Sequence, residues 1–176
     1  STVFHDVFGK RPLDEFADFQ LVDYYIEDGD YWKIDNIAIG YRASWYNESD
    51  NNIAIGYETL KNNKSGINNV ALGNESLLLN LSSGNTAIGH KAARGNGNGE
   101  RLTAIGFESL LSNTTGDDNI AIGDKAMHSN LSGYRNVAIG NNSLLNQISG
   151  IENIAIGHEA MHSNLNGTSN IAIGYK

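Results

Sequence analysis

Apolar and polar residues alternate along most of this chain in a phrase that returns with a nearly fixed period. The phrase reads Asn, an aliphatic residue or Thr, Ala, Ile or Leu, and then Gly. Nine copies end at Gly40, Gly56, Gly73, Gly89, Gly106, Gly123, Gly140, Gly157 and Gly174. Leu102 replaces the first Asn in one copy. A repeat of about 17 residues predicts a stacked repeat architecture.

A second short apolar segment follows each of these glycines. It usually carries Leu or Met four residues after the Gly, at Leu60, Leu77, Leu110, Met127, Leu144 and Met161. A Gly or Asn about every eight residues leaves no room for the helices of a helical repeat. The β-branched alternation instead favours short strands. We therefore predict an all-β fold, a parallel β-roll or β-solenoid in which two strands and two turns make one coil of about 17 residues.

Period-two alternation within the phrase predicts which side chains face the interior. We expect the first and third residues, such as Ile154 and Ile156, to lie inside the roll, with the Leu or Met of the second segment opposite them. The Ala between them would then point outward in every coil. Gly and Asn are expected at the turns, where stacked Asn side chains would form ladders.

An outward stripe of Ala would suit close approach of another chain better than contact with water. Three buried aliphatic side chains in each coil also give a thin core for about 17 ordered residues. We therefore predict a homotrimer with the Ala stripe at the symmetry axis. The predicted trimer contacts are Ala38, Ala54, Ala71, Ala87, Ala104, Ala121, Ala138, Ala155 and Ala172.

Two regions of different composition meet near Ile34. Residues 1-34 hold eight of the twenty acidic side chains and eight of the fifteen aromatic ones, and residues 35-176 hold the repeats. The first region is predicted to form a small cap, with a short helix in "RPLDEFADF" and a β-hairpin around Asp28 and Gly29. A receptor site and a docking element for an upstream segment are the alternatives. The candidate receptor contacts are Tyr24, Tyr25, Tyr31, Trp32, Trp45 and Tyr46.

Composition excludes several kinds of function. The net charge of −8 disfavours a nucleic-acid backbone or an anionic membrane as partner. No apolar run is long enough to span a membrane, and the absence of Cys removes disulfides and thiol chemistry. Acidic residues two positions after the Gly, such as Glu58, Glu75 and Glu108, share their column with Lys91 and Lys125, as on an exposed face. No catalytic, cofactor or metal site is predicted.

The phrase Asn, Ile, Val or Thr, Ala, Ile or Leu, Gly, with a later Asn and Gly, resembles the head repeats of YadA-like trimeric autotransporter adhesins. It is also similar to repeats of bacteriophage tail fibres, as in "NIAIGYETLKNNKSGINN" and "FESLLSNTTGDDNIAIG". The resemblance covers about residues 35-176. It implies a left-handed parallel β-roll, three chains around one axis and attachment to a cell surface. Adhesin heads usually have shorter coils, so the period here is more like that of the fibres.

These observations together predict a fragment of an extracellular, homotrimeric, non-enzymatic fibre or adhesin head, with no native end to the roll at Lys176. Its expected partner is a cell-surface glycan or protein receptor, bound without membrane insertion by this fragment. The first alternative is a purely structural fibre shaft or spacer. The second is a glycan-degrading fibre enzyme, which would need a pair of carboxylates in a cleft.

Overall fold

The chain forms a single stack of short strands. The computed structural model describes residues 19–22 and 36–176. Ten strands form one sheet in the order of the sequence. They are β1 (Phe19–Val22), β2 (Asn36–Ile39), β3 (Ile53–Ile55), β4 (Val70–Leu72), β5 (Thr86–Ile88), β6 (Thr103–Ile105), β7 (Ile120–Ile122), β8 (Val137–Ile139), β9 (Ile154–Ile156) and β10 (Ile171–Ile173). Strands β2 to β10 are parallel and in register, which confirms the predicted all-β parallel solenoid of about 17 residues per coil.

We number the coils 1 to 8, each from the first residue of its phrase. They begin at residues 36, 52, 69, 85, 102, 119, 136 and 153, and β10 opens a ninth. Coils 1 and 3 are one residue shorter than the others. The register places every phrase Ala beside the Ala of the next coil, so each position of the repeat forms a column along the roll.

Strand β1 is the exception to the parallel arrangement. It pairs antiparallel with β2, with Phe19 opposite Ile39 and Val22 opposite Asn36. This register is centred on Gly29, where the sequence predicts a hairpin turn. The hairpin turn and the short helix themselves lie outside the described residues and stay predictions.

The predicted direction of the phrase side chains is wrong. The phrase Ala residues of coils 1 to 8 are buried within this single chain at 0 or 1% exposure, whereas the aliphatic residues on either side of each Ala face outward. The reason is the first residue of each phrase, which is Leu102 in coil 5 and Asn in the other coils, because its side chain is buried and alternation then turns the Ala inward. The residues named above as trimer contacts, Ala38, Ala54, Ala71, Ala87, Ala104, Ala121, Ala138 and Ala155, are core residues that no second chain can touch. Ala172, in β10, takes the same position in the register.

The Leu or Met of the second segment is buried as predicted in coils 2, 3, 5, 6 and 7 and partly buried at Met161, but the segment is not a β-strand. Leu60, Leu77, Leu110, Met127 and Leu144 are fully buried and face the Ala column. Backbone φ is positive at each of these residues and two positions earlier, with values from 49° to 58° in coils 2, 3, 5, 6 and 7. A pleated strand cannot contain such residues. The segments of neighbouring coils still bond to one another through the backbone, as from Leu60 N to Ser76 O at 2.9 Å.

Half of the core is polar, and much of this polar half is the buried Asn that opens seven of the eight coils and forms a ladder with its neighbours. In coil 7 the Asn136 amide nitrogen donates to Gly150 O at 2.7 Å and to Asn119 Oδ1 at 3.1 Å. Its Oδ1 accepts the Asn153 backbone N–H at 2.9 Å. The same bond from a backbone N–H to the Oδ1 of the preceding coil joins coils 1 to 5. Every side-chain polar group of such an Asn is satisfied without water, which offsets its burial.

A second Asn ladder runs directly beside the first, and the two are bonded to each other, as from the Asn85 amide nitrogen to Asn80 Oδ1 at 3.0 Å. Asn113 donates to Asn96 Oδ1 at 2.9 Å and to the carbonyl of Gly116 in its own coil at 3.0 Å. In the two shorter coils, 1 and 3, Ser49 and Ser82 take the place of that Gly. Their hydroxyls donate to the Gly carbonyl of the next coil at 2.7 and 2.6 Å. The two ladders, rather than a broad apolar core, hold neighbouring coils together along this side of the roll.

Gln147 interrupts the second ladder. Its Oε1 accepts from the amide nitrogens of Asn153 and Asn164, but its own amide nitrogen makes only a 3.4 Å bond to Gly150 O. Asn130 Oδ1 in the preceding coil is buried without a partner. Seven other coils carry Asn at this position, so the coil accommodates the shorter side chain.

We therefore expect Gln147→Asn to raise the free energy of unfolding by about 1 kcal/mol, because a new amide would donate to Asn130 Oδ1. Urea unfolding followed by circular dichroism measures the change. The reverse exchange, Asn113→Gln, is the matched control and should lower the stability by a similar amount. A stability of Gln147→Asn equal to or below that of the parent chain would contradict the prediction.

Candidate binding surface

Two large aromatic side chains stand out from the surface of coil 1. Trp45 and Tyr46 are 49% and 51% exposed, and their rings meet edge to face with centroids 6.5 Å apart. The equivalent positions of coil 2 hold Lys61 and Asn62, so the repeat itself does not require aromatic residues there. Exposing two such rings to water stabilises nothing in the roll, and this favours a role in binding.

Cationic groups adjoin these rings. The Arg42 guanidinium lies 5.0 Å from the centroid of Tyr41 and 5.8 Å from that of Trp45, within the range of cation–π attraction. Arg42 and Lys61 both contact Oε1 of Glu58, at 3.4 and 2.8 Å. The hydrogen bond from Lys61, together with Arg42, holds the pKa of Glu58 below its usual range despite partial burial. These three charged groups therefore carry one net positive charge beside the rings.

Four other aromatic rings of the surface are stacked in pairs. In the column directly after the phrase Gly, Tyr41 stacks on Tyr57 at 5.5 Å and His90 stacks on Phe107 at 5.4 Å, with nearly parallel planes. Such pairs use their ring faces along the roll and leave mainly edges toward solvent. They stabilise neighbouring coils, as the cross-strand pairs of a sheet do. Trp45 and Tyr46, which meet at 88°, keep ring faces for a ligand.

A second feature is an apolar outer face of the sheet, which we call the aliphatic face. It consists of the residues before and after each phrase Ala in β2 to β10. Sixteen of the eighteen are Ile, Val or Leu, and the other two are Thr86 and Thr103. The residues are Ile37, Ile39, Ile53, Ile55, Val70, Leu72, Thr86, Ile88, Thr103, Ile105, Ile120, Ile122, Val137, Ile139, Ile154, Ile156, Ile171 and Ile173. None is buried, and Ile37, Leu72, Ile120 and Ile139 are at least 37% exposed.

Charged residues on the other faces form pairs between coils. Arg101 contacts Asp118 at 2.6 Å, and Arg135 contacts Glu152 at 2.8 Å in the same column. The hydrogen bonds from Arg101 keep the pKa of Asp118 below its usual range. Both pairs are exposed, so each contributes little to stability. Each of these charged residues stands two positions before the first aliphatic-face residue of the following strand. One edge of the aliphatic face is therefore polar.

Comparison with known proteins yields no identification. No protein-family model, curated protein or solved structure matches this chain. The resemblance to adhesin heads and tail fibres therefore stays a prediction based on the repeated phrase.

The acidic column that the enzyme alternative needs is engaged with basic side chains. Glu75 contacts Arg94 at 2.6 Å, and Glu108 lies 3.6 Å from His128. Within residues 36–176 no cluster of three His, Asp or Glu side chains could hold a metal ion. A search of the described residues for a helix long and apolar enough to cross a membrane found none.

The structure places only part of the predicted receptor site. Trp45 and Tyr46 lie together and exposed, whereas Tyr24, Tyr25, Tyr31 and Trp32 lie outside the described residues. Sequence reasoning missed the cationic groups around the rings and the whole aliphatic face. A usable signal for that face was the buried Asn at the head of the phrase, since it fixes the direction of every later side chain in the strand.

Proposed function

We propose that this chain is a section of a homotrimeric, extracellular fibre or adhesin head that attaches a virion or bacterium to a cell surface without catalysis. The observation that carries the proposal is the aliphatic face. A continuous apolar surface of this length, without any charged residue, is typical of a protein contact rather than of a surface in water. The repeated phrase supplies the remaining support through its resemblance to adhesin and fibre repeats.

The shape of the aliphatic face suits a threefold axis. Each strand has only three or four residues, so the face is two side-chain columns wide and about 40 Å long for nine strands at ~4.8 Å. Three narrow faces can close around an axis parallel to the roll, with the two columns of each chain meeting those of both neighbours. This buries the Ile and Val side chains that a single chain leaves exposed, at about 25 cal/mol for each Å² removed from water. Three binding surfaces on one axis would then add avidity.

We expect light scattering to give three times the 19.0 kDa chain mass, and Ile122→Glu to dissociate the particle, because three carboxylates would meet at the axis. Leu131→Glu is the matched control, because Leu131 is an exposed apolar residue in a turn of the same coil. A monomer or a dimer in the parent chain would contradict the trimer. Dissociation by both variants alike would show that the aliphatic face is not the contact.

For attachment, we expect Trp45→Ala to reduce binding of the labelled protein to cells and to a glycan array by about tenfold or more, as for an aromatic hot spot. Tyr134→Ala is the control, since Tyr134 is an exposed aromatic with Arg135 over its ring at 5.1 Å but without a second ring. Circular dichroism checks that both variants stay folded. Unchanged binding by Trp45→Ala would contradict a binding role for coil 1.

A structural spacer is the second candidate, and the regularity of coils 6 to 8 favours it. Their strands keep one register, and neighbouring coils are bonded through both the backbone and the first Asn ladder. Such a stack is rigid along its axis and sets a fixed distance between whatever lies at its two ends. In that case attachment would depend on neither Trp45 nor Tyr46.

A further inference from the structure

The surface of coil 1 has a chemical composition that no other described coil repeats. At the position of Tyr46, coils 5, 6 and 8 hold Ser112, Ser129 and Ser163. At the position of Trp45, the later coils hold Lys, Leu, Arg or His. The fold therefore accepts aliphatic, polar or small residues at these two positions and requires an aromatic ring at neither. The adjacent pair of exposed rings is a local departure that packing among residues 36–176 does not explain.

The charge at this surface differs in sign from the charge of the whole chain. Arg42, Lys61 and Glu58 together carry +1, while the chain carries −8. Within residues 36–176, the Arg42 guanidinium has one hydrogen bond, the long one to Glu58 at 3.4 Å, and its side chain is 42% exposed. The remaining N–H groups of its planar fork can therefore meet a carboxylate from solution with bidentate geometry.

The two rings form a right-angled corner beside that guanidinium. A ligand that fits needs a flat, weakly polar face to lie on one ring, an edge for the other ring and a negative charge within reach of Arg42. A pyranose ring bearing a carboxylate has these three features, since its C–H groups line one face. We propose that Trp45, Tyr46 and Arg42 bind an acidic saccharide, a sugar that carries a carboxylate on its ring. This inference rests on the attachment function proposed for the same surface.

One pair of probes separates the contribution of the aromatic rings to binding from the contribution of the carboxylate charge. Tri-galacturonate and its methyl ester share their rings, but only the first is charged. We expect isothermal calorimetry on the intact particle to show at least about tenfold tighter binding of the acid, equivalent to one charge-assisted hydrogen bond of about 1.4 kcal/mol. Added salt should weaken the binding of the acid and leave that of the ester unchanged.

Single substitutions show which residue recognises the carboxylate and which one contacts the sugar ring. Arg42→Gln should reduce binding of tri-galacturonate to the level of its ester, whereas Trp45→Ala should weaken both probes. Arg135→Gln is the matched control, because Arg135 also lies over a tyrosine ring but has no corner of two rings beside it. It should bind both probes as the parent chain does.

Three results would overturn the proposal. They are equal binding of the acid and its ester, an Arg42→Gln variant that keeps the preference for the acid, and a Glu-rich peptide that binds as tightly as the saccharide. Cell attachment is measured in parallel to separate the two levels of inference. Loss of attachment in Trp45→Ala without any saccharide binding would overturn the ligand class alone. Attachment that survives Trp45→Ala would overturn the function assigned to this surface.

Discussion

Asn136→Asp is expected to lower the free energy of unfolding by about 3 to 5 kcal/mol at neutral pH, although the two side chains have nearly the same shape. The Asn136 amide nitrogen donates to the carbonyls of Gly150 and Tyr134 and to Asn119 Oδ1, at 2.7 to 3.1 Å. A carboxylate there would set an oxygen against three acceptor oxygens, at a position with no exposure to solvent. The remaining oxygen would still accept the Asn153 N–H. The cost therefore comes from the charge and the lost donor.

The loss should depend on pH in a defined direction. Burial beside acceptors raises the pKa of the new carboxyl in the folded state above its unfolded value of about 4. The folded variant then binds a proton more tightly than the unfolded one, so stability falls as pH rises from about 4 through the folded-state pKa. Compared with the parent chain, Asn136→Asp should be least destabilised near pH 4 and most destabilised above that pKa. Urea unfolding of the variant and of the parent chain, repeated from about pH 4 upward, measures the destabilisation at each pH.

Asn68→Asp is the matched control for this experiment. Asn68 is exposed in a turn with φ of 59°, and Asp118 occupies the same column with φ of 55°. The substitution should change the stability by less than about 0.5 kcal/mol at any pH, as for other surface positions. Equal losses for the two variants would contradict the view that the ladder is a closed, water-free network.

The fold class followed from the sequence because spacing alone determines it. A Gly at a nearly constant interval, with β-branched residues before it, leaves few alternatives to a parallel solenoid. Spacing does not predict which side chains face the interior. Hydrophobicity does make such a prediction, and it places Ile154 and Ile156 inside and Asn153 outside. Hydrogen bonding reverses that order, since the Asn153 Oδ1 accepts the backbone N–H of Asn170 in the next coil and its amide nitrogen donates to Gly167 O, fourteen residues further along its own coil. Hydrogen bonds between residues one coil apart are not visible in a local pattern.

The second segment was misread as a strand for a related reason. Leu110 and Met127 are poor candidates for positive φ, because a side chain with Cβ costs about 1 to 2 kcal/mol in that region. The stack imposes this conformation on every coil, and a buried position for the side chain offsets the cost. The candidate binding surface was predicted in part, because Trp45 and Tyr46 break the repeat visibly. The grouping of Arg42 with Trp45 depends on the shape of that segment, so it could not be predicted.

Gly123→Ala is expected to destabilise the roll by about 3 to 5 kcal/mol, from two separate causes. The phrase glycines have φ between 123° and 137°, a conformation almost restricted to Gly. A Cβ at Gly123 would also lie 2.6 Å from the carbonyl carbon and oxygen of Gly140 in the next coil. Because the atoms that would clash belong to the backbone, coils 6 and 7 would have to separate and lose packing around Met127 and Leu144. Thermal unfolding followed by circular dichroism measures the loss.

Two other glycines separate these causes. Gly84 has φ of 73° but no atom nearer than 3.6 Å to a new Cβ, so Gly84→Ala should cost only about 1 kcal/mol of backbone strain. Gly97 has no positive φ, and its Cβ would meet Thr114 O at 3.2 Å, so Gly97→Ala should be nearly neutral. If Gly123→Ala costs no more than Gly84→Ala, the coils do not pack against one another at this column. A loss several times larger shows that the approach of the backbones, more than the φ angle, fixes Gly in every phrase.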